Sequence, residues 1–270
     1  MAWRLLSHNI SNIFESMAID EAIFIDTAQN KKSPTIRFYG TYPAAISMGY
    51  FQELEDININ KCRDEGIDIV RRITGGKSVF HFNEITYCVV ASNNDKIFPN
   101  SIAGTYEIIS KCIARGLSYL GIEAYLAEGD RTSAHQALGT CCFSAPSKSE
   151  LLVDGRKICG SAQTRKKGGF LQHGSLLTSF DARRTAALLL PADALEKSDD
   201  LNNSVTSIDE HMKRPINVKD ICEKIKMGFI AELGIELTED KLTAAEEKHK
   251  NELLKKYKSS HWNMERKEKI

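Results

Sequence analysis

Arg71-Arg72-Ile73-Thr74-Gly75-Gly76-Lys77-Ser78-Val79-Phe80-His81 is the stretch on which the reading of this chain turns. It follows a short run of β-formers, Ile67-Asp-Ile-Val-Arg71, so a strand delivers it, and the paired glycines mark where that strand gives way. Backbone N–H groups beside a glycine pair can approach a ligand closely, and the flanking Arg72 and Lys77 suit an anionic or carbonyl-bearing one. The Gly-x-x-x-x-Gly-Lys-Ser/Thr spacing of a phosphate-binding P-loop is absent. Taken alone, the pair also reads as a plain strand-to-turn device.

Working outward, Thr35–Tyr39, Ala44–Gly49, Ile67–Arg71 and Ile85–Val90 read as strands of one sheet. Upstream, Asn12 followed by Glu15 and the stripe Phe14, Met17, Ala22, Ile25 predicts an N-capped helix with one face on a core. Downstream, Tyr106, Ile109, Ile113, Leu117 and Leu120 predict a second helix that ends before Gly121. Leu151-Leu-Val, Asp154-Gly155 and Arg156-Lys-Ile-Cys159 form a hairpin with a two-residue turn, and Gly169–Leu177 adds a further strand. Asp181–Leu190 and Val218–Leu233 are helical, and residues 239–258 are highly charged with a weaker apolar stripe, which reads as a solvated helix. The expectation is an α+β fold, with one domain over residues 1–215 and a helical C-terminal extension over 216–270 packed on it.

The 270 residues are 42% hydrophobic, ample for a buried core, and 36 Lys plus Arg balance 36 Asp plus Glu. No net charge draws the chain to nucleic acid or an anionic membrane, so partners must be read by a local site. Seven cysteines without a C-x-x-C pair argue against a disulfide framework and a standard zinc site. The N-terminus has no long apolar segment, and the expectation is a soluble, cytoplasmic protein with no metal and no cofactor.

Lys157 lies just past the hairpin turn, beside the small residues Gly160, Ser161 and Ala162. There it can polarise an acyl carbonyl or lower the pKa of a nearby thiol, or else be a hairpin lysine in water. Cys141 and Cys142 are adjacent, so on a strand their side chains face opposite ways and at most one enters a given cleft. A thiol has only a few per cent thiolate at neutral pH, and a shift of about two units, roughly 3 kcal/mol, makes thiolate the major form. One well-placed ammonium supplies that, so a Cys and Lys joined by the hairpin make a credible acyl-transfer pair. His81 and His173 have no metal-ligand spacing, and neither is assigned to catalysis; His173 in Gln-His-Gly-Ser is as readily a holder of backbone geometry as a base.

These segments together resemble the catalytic-domain family of biotin and lipoate protein ligases, from about Ser16 to Ser207. Ser-Met-Ala-Ile-Asp-Glu-Ala (16–22) is similar to its first helix, and Arg37-Phe-Tyr-Gly and Ser47-Met-Gly-Tyr-Phe-Gln52 to its second segment. Arg-Arg-Ile-Thr-Gly-Gly is similar to its ligand loop, and Gly155-Arg-Lys-Ile-Cys-Gly-Ser-Ala-Gln163 to the segment bearing its lysine. The resemblance implies a mixed, largely antiparallel sheet covered by helices. It also implies a substrate site including Arg72, Thr74, Gly75, Gly76, Lys77, His81, Gly160, Ser161, Ala162, His173 and Gly174.

Within the family, Cys142-Phe-Ser-Ala-Pro-Ser147 before Glu150-Leu151 looks like the octanoyltransferases of the LipM type. That implies octanoyl transfer from octanoyl-acyl carrier protein through a Cys142 thioester to a lysine of a lipoyl domain, glycine cleavage H protein, with Lys157 lowering the pKa of Cys142. Lys77 stands where the ligases have a third glycine, and Ser149 where an aromatic usually precedes Glu-Leu. The alternatives are an ATP-dependent lipoate-protein ligase and a non-catalytic module that binds acyl groups or carrier proteins. The charged tail, with Lys255-Lys256 and Lys267–Lys269, is also a candidate docking surface for an acidic carrier protein.

Overall fold

The computed structural model describes residues 2–30, 33–127, 150–166, 168–190 and 198–266. Its centre is an eight-stranded sheet ordered β11-β1-β2-β6-β10-β9-β8-β7. The strands are β1 (Ala2–Ser11), β2 (Thr35–Thr41), β6 (Glu84–Ser92), β7 (Tyr125–Leu126), β8 (Leu151–Val153), β9 (Arg156–Lys166), β10 (Gly169–Leu177) and β11 (Glu236–Glu239). β1 pairs parallel with β2 and β11, and the other pairings are antiparallel. The mixed, largely antiparallel sheet is therefore as expected.

A second, three-stranded sheet holds β3 (Ala45–Met48), β4 (Asp68–Arg71) and β5 (Val79–His81) in the order β4-β3-β5. This corrects the single-sheet expectation. The runs at Thr35, Ala44, Ile67 and Ile85 share one signature, a short apolar stretch, and that signature reports burial without naming the partner strand. β1 and β11 were not expected as strands at all.

Alternation along β6 separates the two faces of the large sheet. Tyr87, Val89 and Ala91 share a core with Ile109, Cys112, Ile113 and Leu117 of α3 (Ile102–Ser118), and with Ile221, Ile225 and Phe229 of α7 (Val218–Leu233). Cys88 and Val90 meet Ile19, Ile23 and Phe24 of α1 (Ile13–Asn30) on the other side. Burying a side chain such as Phe229 contributes roughly 2–3 kcal/mol. α1 starts where expected: Asn12 Oδ1 accepts from the Glu15 backbone N–H at 3.0 Å. The small sheet rests on α4 (Ala182–Leu189), whose Ala186, Leu188 and Leu189 pack with Ile46, Met48 and Val79. Three shorter helices, α2 (Ile59–Asp64), α5 (Ser198–Ser204) and α6 (Ile208–His211), complete the body.

The β8–β9 turn is formed by Asp154 and Gly155, with φ of 50° and 77°, the paired left-handed residues of a type I′ hairpin. The charged C-terminal stretch is α8 (Ala244–Tyr257), followed by α9 (Ser260–Glu265), and it is not simply solvated. α8 lies along α1: Lys256 Nζ reaches both Glu21 carboxylate oxygens at 2.9 and 3.0 Å, and Tyr257 Oη donates to Glu21 at 2.6 Å. Arg4 Nη1 donates to Glu246 at 2.8 Å. Glu246 and Lys256 of α8, which look solvent-bound in sequence, face opposite charges on distant segments, which local pattern does not reveal. No helix among the described residues is long and apolar enough to cross a membrane.

Candidate active site

A small cavity, with free room of about 30 Å³, lies on the α1 face of the large sheet. The large sheet supplies Tyr39, Thr86, Gly160 to Ala162 and His173 to Ser175. Ser47, Arg72, Val79 and His81 close it from the small sheet and its loop, and Met17 from α1. Seven expected substrate residues thus meet here: Arg72, His81, Gly160, Ser161, Ala162, His173 and Gly174.

Thr74, Gly75, Gly76 and Lys77 form the loop that leaves β4 beside the cavity. Gly76 has φ of +89°, which favours glycine, and its carbonyl oxygen would lie 1.8 Å from a Cβ placed on Gly49. The loop is therefore pressed onto the turn after β3. Thr74 Oγ1 is 2.8 Å from His173 Nε2. Arg72, buried, donates through Nε to Thr74 Oγ1, through Nη1 to the Ser47 carbonyl and hydroxyl, and through Nη2 to the carbonyls of Gly75 and Lys77. These bonds engage all five guanidinium donors in holding the loop, so Arg72 positions it rather than gripping an anion itself.

Its neighbour Arg71 points elsewhere. It donates to the carbonyls of Gly49, Tyr50 and Gln52 and to that of Asn263 in α9, while the Asn263 side chain accepts from the Arg71 backbone N–H at 2.9 Å. Trp262 Nε1 donates to the Arg71 carbonyl at 2.7 Å. α9 thus clamps the strand that carries the loop.

Behind the cavity, Asp20 accepts from Arg37 Nη1 at 2.6 Å and Tyr39 Oη at 2.9 Å, and lies 3.3 Å from His173 Nδ1. Burial pushes the Asp20 carboxyl up, but Arg37 and His173 together hold it below the usual carboxylate value. Burial pushes the His173 imidazole down by more than Asp20 restores. His81 Nδ1 is 2.5 Å from Glu84 Oε1, which also accepts from Thr86 Oγ1, and His81 Nε2 is 2.8 Å from Ser47 Oγ.

Lys157 is only 1% exposed, which corrects the reading of a hairpin lysine in water. Its Nζ donates to Glu150 Oε1 at 2.7 Å, and an ammonium this deep needs such an anion. Lys157 does not line the cavity. It stands where β8 begins, and the Ala127 N–H donates to the Glu150 carbonyl at 2.9 Å, so Ala127 and Glu150, which bracket residues 128–149, meet next to it. Cys141 and Cys142 lie outside the described residues. The described cysteines, 62, 88, 112, 159 and 222, are all buried, and burial raises every thiol; Cys159 is pushed up to about 12. None of them is a ready nucleophile.

Sequence reasoning missed Asp20, Ser47, Glu84 and Ser175 as parts of the site, and did not pair Glu150 with Lys157. The available signal was charge out of place: Asp20 and Glu21 within the apolar face of a helix, and Arg37 inside a buried β-run. Among the described residues no cluster of His, Cys, Asp and Glu is arranged to hold a metal ion.

Residues 12–230 match the family model of the lipoyl protein ligase A/B catalytic domain. The chain belongs to this family. It is 37% identical to Octanoyltransferase LipM of Geobacillus kaustophilus and 36% identical to that of Clostridioides difficile, covering 98% of this chain in both cases and 98% and 99% of those proteins. Among solved structures it resembles the bi-partite lipoate protein ligase of Thermoplasma acidophilum, described with its E2 lipoyl domain. That likeness has a TM-score of 0.84 at 25% identity over 100% of this chain and 99% of that one. Like its LipM relatives, this member of the lipoyl ligase family is an enzyme, an acyltransferase.

Proposed function

We propose that this acyltransferase takes an octanoyl group from octanoyl-acyl carrier protein onto Cys142 and passes it to a lysine of a lipoyl domain, with glycine cleavage H protein as acceptor, in the cytoplasm. The observation that carries the reading is the buried Lys157–Glu150 pair, set where the chain returns from the segment bearing Cys142. The names of the LipM relatives and the raised pKa values of the described thiols point the same way.

In the first step the Cys142 thiolate attacks the donor thioester carbonyl. A new S–C bond forms, the donor S–C bond breaks, and the carrier thiolate leaves and takes up the proton that Cys142 released. Thioester is exchanged for thioester, so the step is nearly isoenergetic and requires no ATP. In the second step the neutral amine of the acceptor lysine attacks the acyl-enzyme carbonyl, the amide N–C bond forms, the Cys142 S–C bond breaks, and Cys142 leaves as thiolate and takes up the proton that the amine releases. Lys157 favours the thiolate in both states, and with backbone N–H groups near Gly76 and Lys77 it stabilises the tetrahedral oxyanion. The acyl chain enters the cavity between the two sheets, which must widen to take it.

The test is intact-protein mass spectrometry after incubation with octanoyl-acyl carrier protein without ATP, with hydroxylamine treatment and a parallel Cys142→Ser sample. A hydroxylamine-labile octanoyl adduct that is absent from the variant is expected, while Cys141→Ser keeps most acylation. Transfer only with ATP and free acid would replace the reading with an ATP-dependent ligase. Carrier binding without any adduct would replace it with a binding module.

A further inference from the structure

The hydrogen bonds around the cavity have a direction that the positions of the hydroxyl protons determine. Thr74 Oγ1 accepts from Arg72 Nε at 3.0 Å, so its own proton goes to its other near neighbour, His173 Nε2 at 2.8 Å. That nitrogen is then an acceptor, and the ring proton sits on Nδ1, facing the Asp20 carboxylate. Asp20 is an acceptor toward Arg37 and Tyr39 as well.

The second histidine repeats the pattern from the other side. Ser47 Oγ accepts from Arg72 Nη1 at 3.2 Å and lies 2.8 Å from His81 Nε2, so its proton goes to that nitrogen. His81 Nδ1 then donates to Glu84 Oε1, 2.5 Å away. A ring protonated on Nε2 at either place would send two donors into one hydroxyl and leave that hydroxyl's proton without an acceptor in a buried setting, where an unmade hydrogen bond is costly. Both chains end on one group, the Arg72 guanidinium, whose remaining donors hold the carbonyls of Gly75 and Lys77.

We propose that two carboxylate–histidine–hydroxyl relays, Asp20–His173–Thr74 and Glu84–His81–Ser47, converge on Arg72 and through it hold the Thr74–Lys77 loop in its ligand-ready form. His173 and His81 are positioning residues, each with its proton on Nδ1, and neither acts as a base. The placement of the relays stands on the hydrogen bonds alone; their effect on acyl transfer rests on the proposed function, in which N–H groups of this loop meet the acyl oxyanion. Fixing the guanidinium at both Nε and Nη1 sets the plane of the fork, so releasing either end frees the carbonyls it holds.

Two measurements test this. The first is ¹⁵N NMR of the histidine-labelled, full-length wild-type protein at pH 7, with His173→Gln and His81→Gln used only to assign the signals. Both rings should show the Nδ1–H tautomer, and an Nε2–H tautomer or an imidazolium at either ring would overturn the relays. The second is a double-mutant cycle on kcat/KM for ATP-independent octanoyl transfer. Thr74→Val and Ser47→Ala should each lower it about tenfold to a hundredfold, with Thr74→Ser recovering most of the first loss. The double variant should fall within about threefold of the worse single one, because both act through Arg72. Losses that multiply would mean separate structural roles and would overturn the proposal. Wild-type protein with both Nδ1–H tautomers but no transfer would overturn the proposed function and leave the relays standing.

Discussion

Arg72 and Lys157 are both buried cations near the site, and the structure holds them by opposite means. Arg72 is surrounded by neutral acceptors, the carbonyls of Ser47, Gly75 and Lys77 and two hydroxyls. Lys157 faces a carboxylate, Glu150, at 2.7 Å. A planar fork matched to several fixed carbonyls is a brace, since moving it breaks many bonds at once. A point-charge ammonium against one anion can exchange that anion for another, a thiolate or a developing oxyanion, at little cost in geometry. The comparison separates architecture from chemistry within one site.

The sharpest way to break it is Lys157→Ala, expected to slow octanoyl transfer about 10²- to 10⁴-fold. The pH at which iodoacetamide alkylates Cys142 should rise, and an unchanged alkylation profile would remove the role given to Lys157. Glu150→Gln comes next: it leaves the Lys157 ammonium buried beside a neutral amide, and urea unfolding should show a loss of about 3 kcal/mol. Equal stability in variant and wild type would mean that the pair does not support the charge.

Arg72→Lys sharpens the contrast from the other side. It keeps the charge and loses the fork, so kcat/KM should fall about tenfold to a hundredfold with the alkylation profile of Cys142 unmoved. If the profile moved as in Lys157→Ala, the two cations would not divide the work as described. Asn263→Ala touches only the clamp on Arg71, and thermal unfolding should register a loss of about 1–2 kcal/mol.

The smallest expected effect is a pH dependence of stability. Burial holds the folded His173 below the ordinary imidazole value of about 6.5, so between its folded pKa and 6.5 the unfolded chain binds more protons. Its contribution is fully present above 6.5, declines as pH falls below that value, and levels off under the folded pKa. Urea midpoints of wild type against His173→Gln across pH 5 to 8 would show it as a shallower slope in the variant.

The framework around the site was legible because local rules dictate it, while the list of site residues came from the resemblance to the ligase family. The Gly75-Gly76 turn, the Asp154-Gly155 hairpin and the Asn12 cap depend on the conformational freedom and hydrogen bonding of neighbouring residues, and all three stand where the spacing places them. The partners of the charged residues were not legible. Arg37 meets Asp20 and Lys256 meets Glu21 across 17 and 235 residues, and nothing in the spacing of either names the other. Of the tail lysines considered for carrier docking, Lys256 is engaged with Glu21 and stacked over Trp262, while Lys267 to Lys269 lie outside the described residues.

By itself the sequence determined the Asn12 helix start, the Gly75-Gly76 and Asp154-Gly155 turns and most of the strand-forming segments, because propensity, capping and apolar periodicity act over a few residues. Only the tertiary structure decided that those strands divide between two sheets, that Lys157 is buried against Glu150, and that Arg72 is a brace. Those outcomes depend on which distant groups meet in a dry interior, where every charge and hydroxyl must find a partner and the chain between them carries no record of the match.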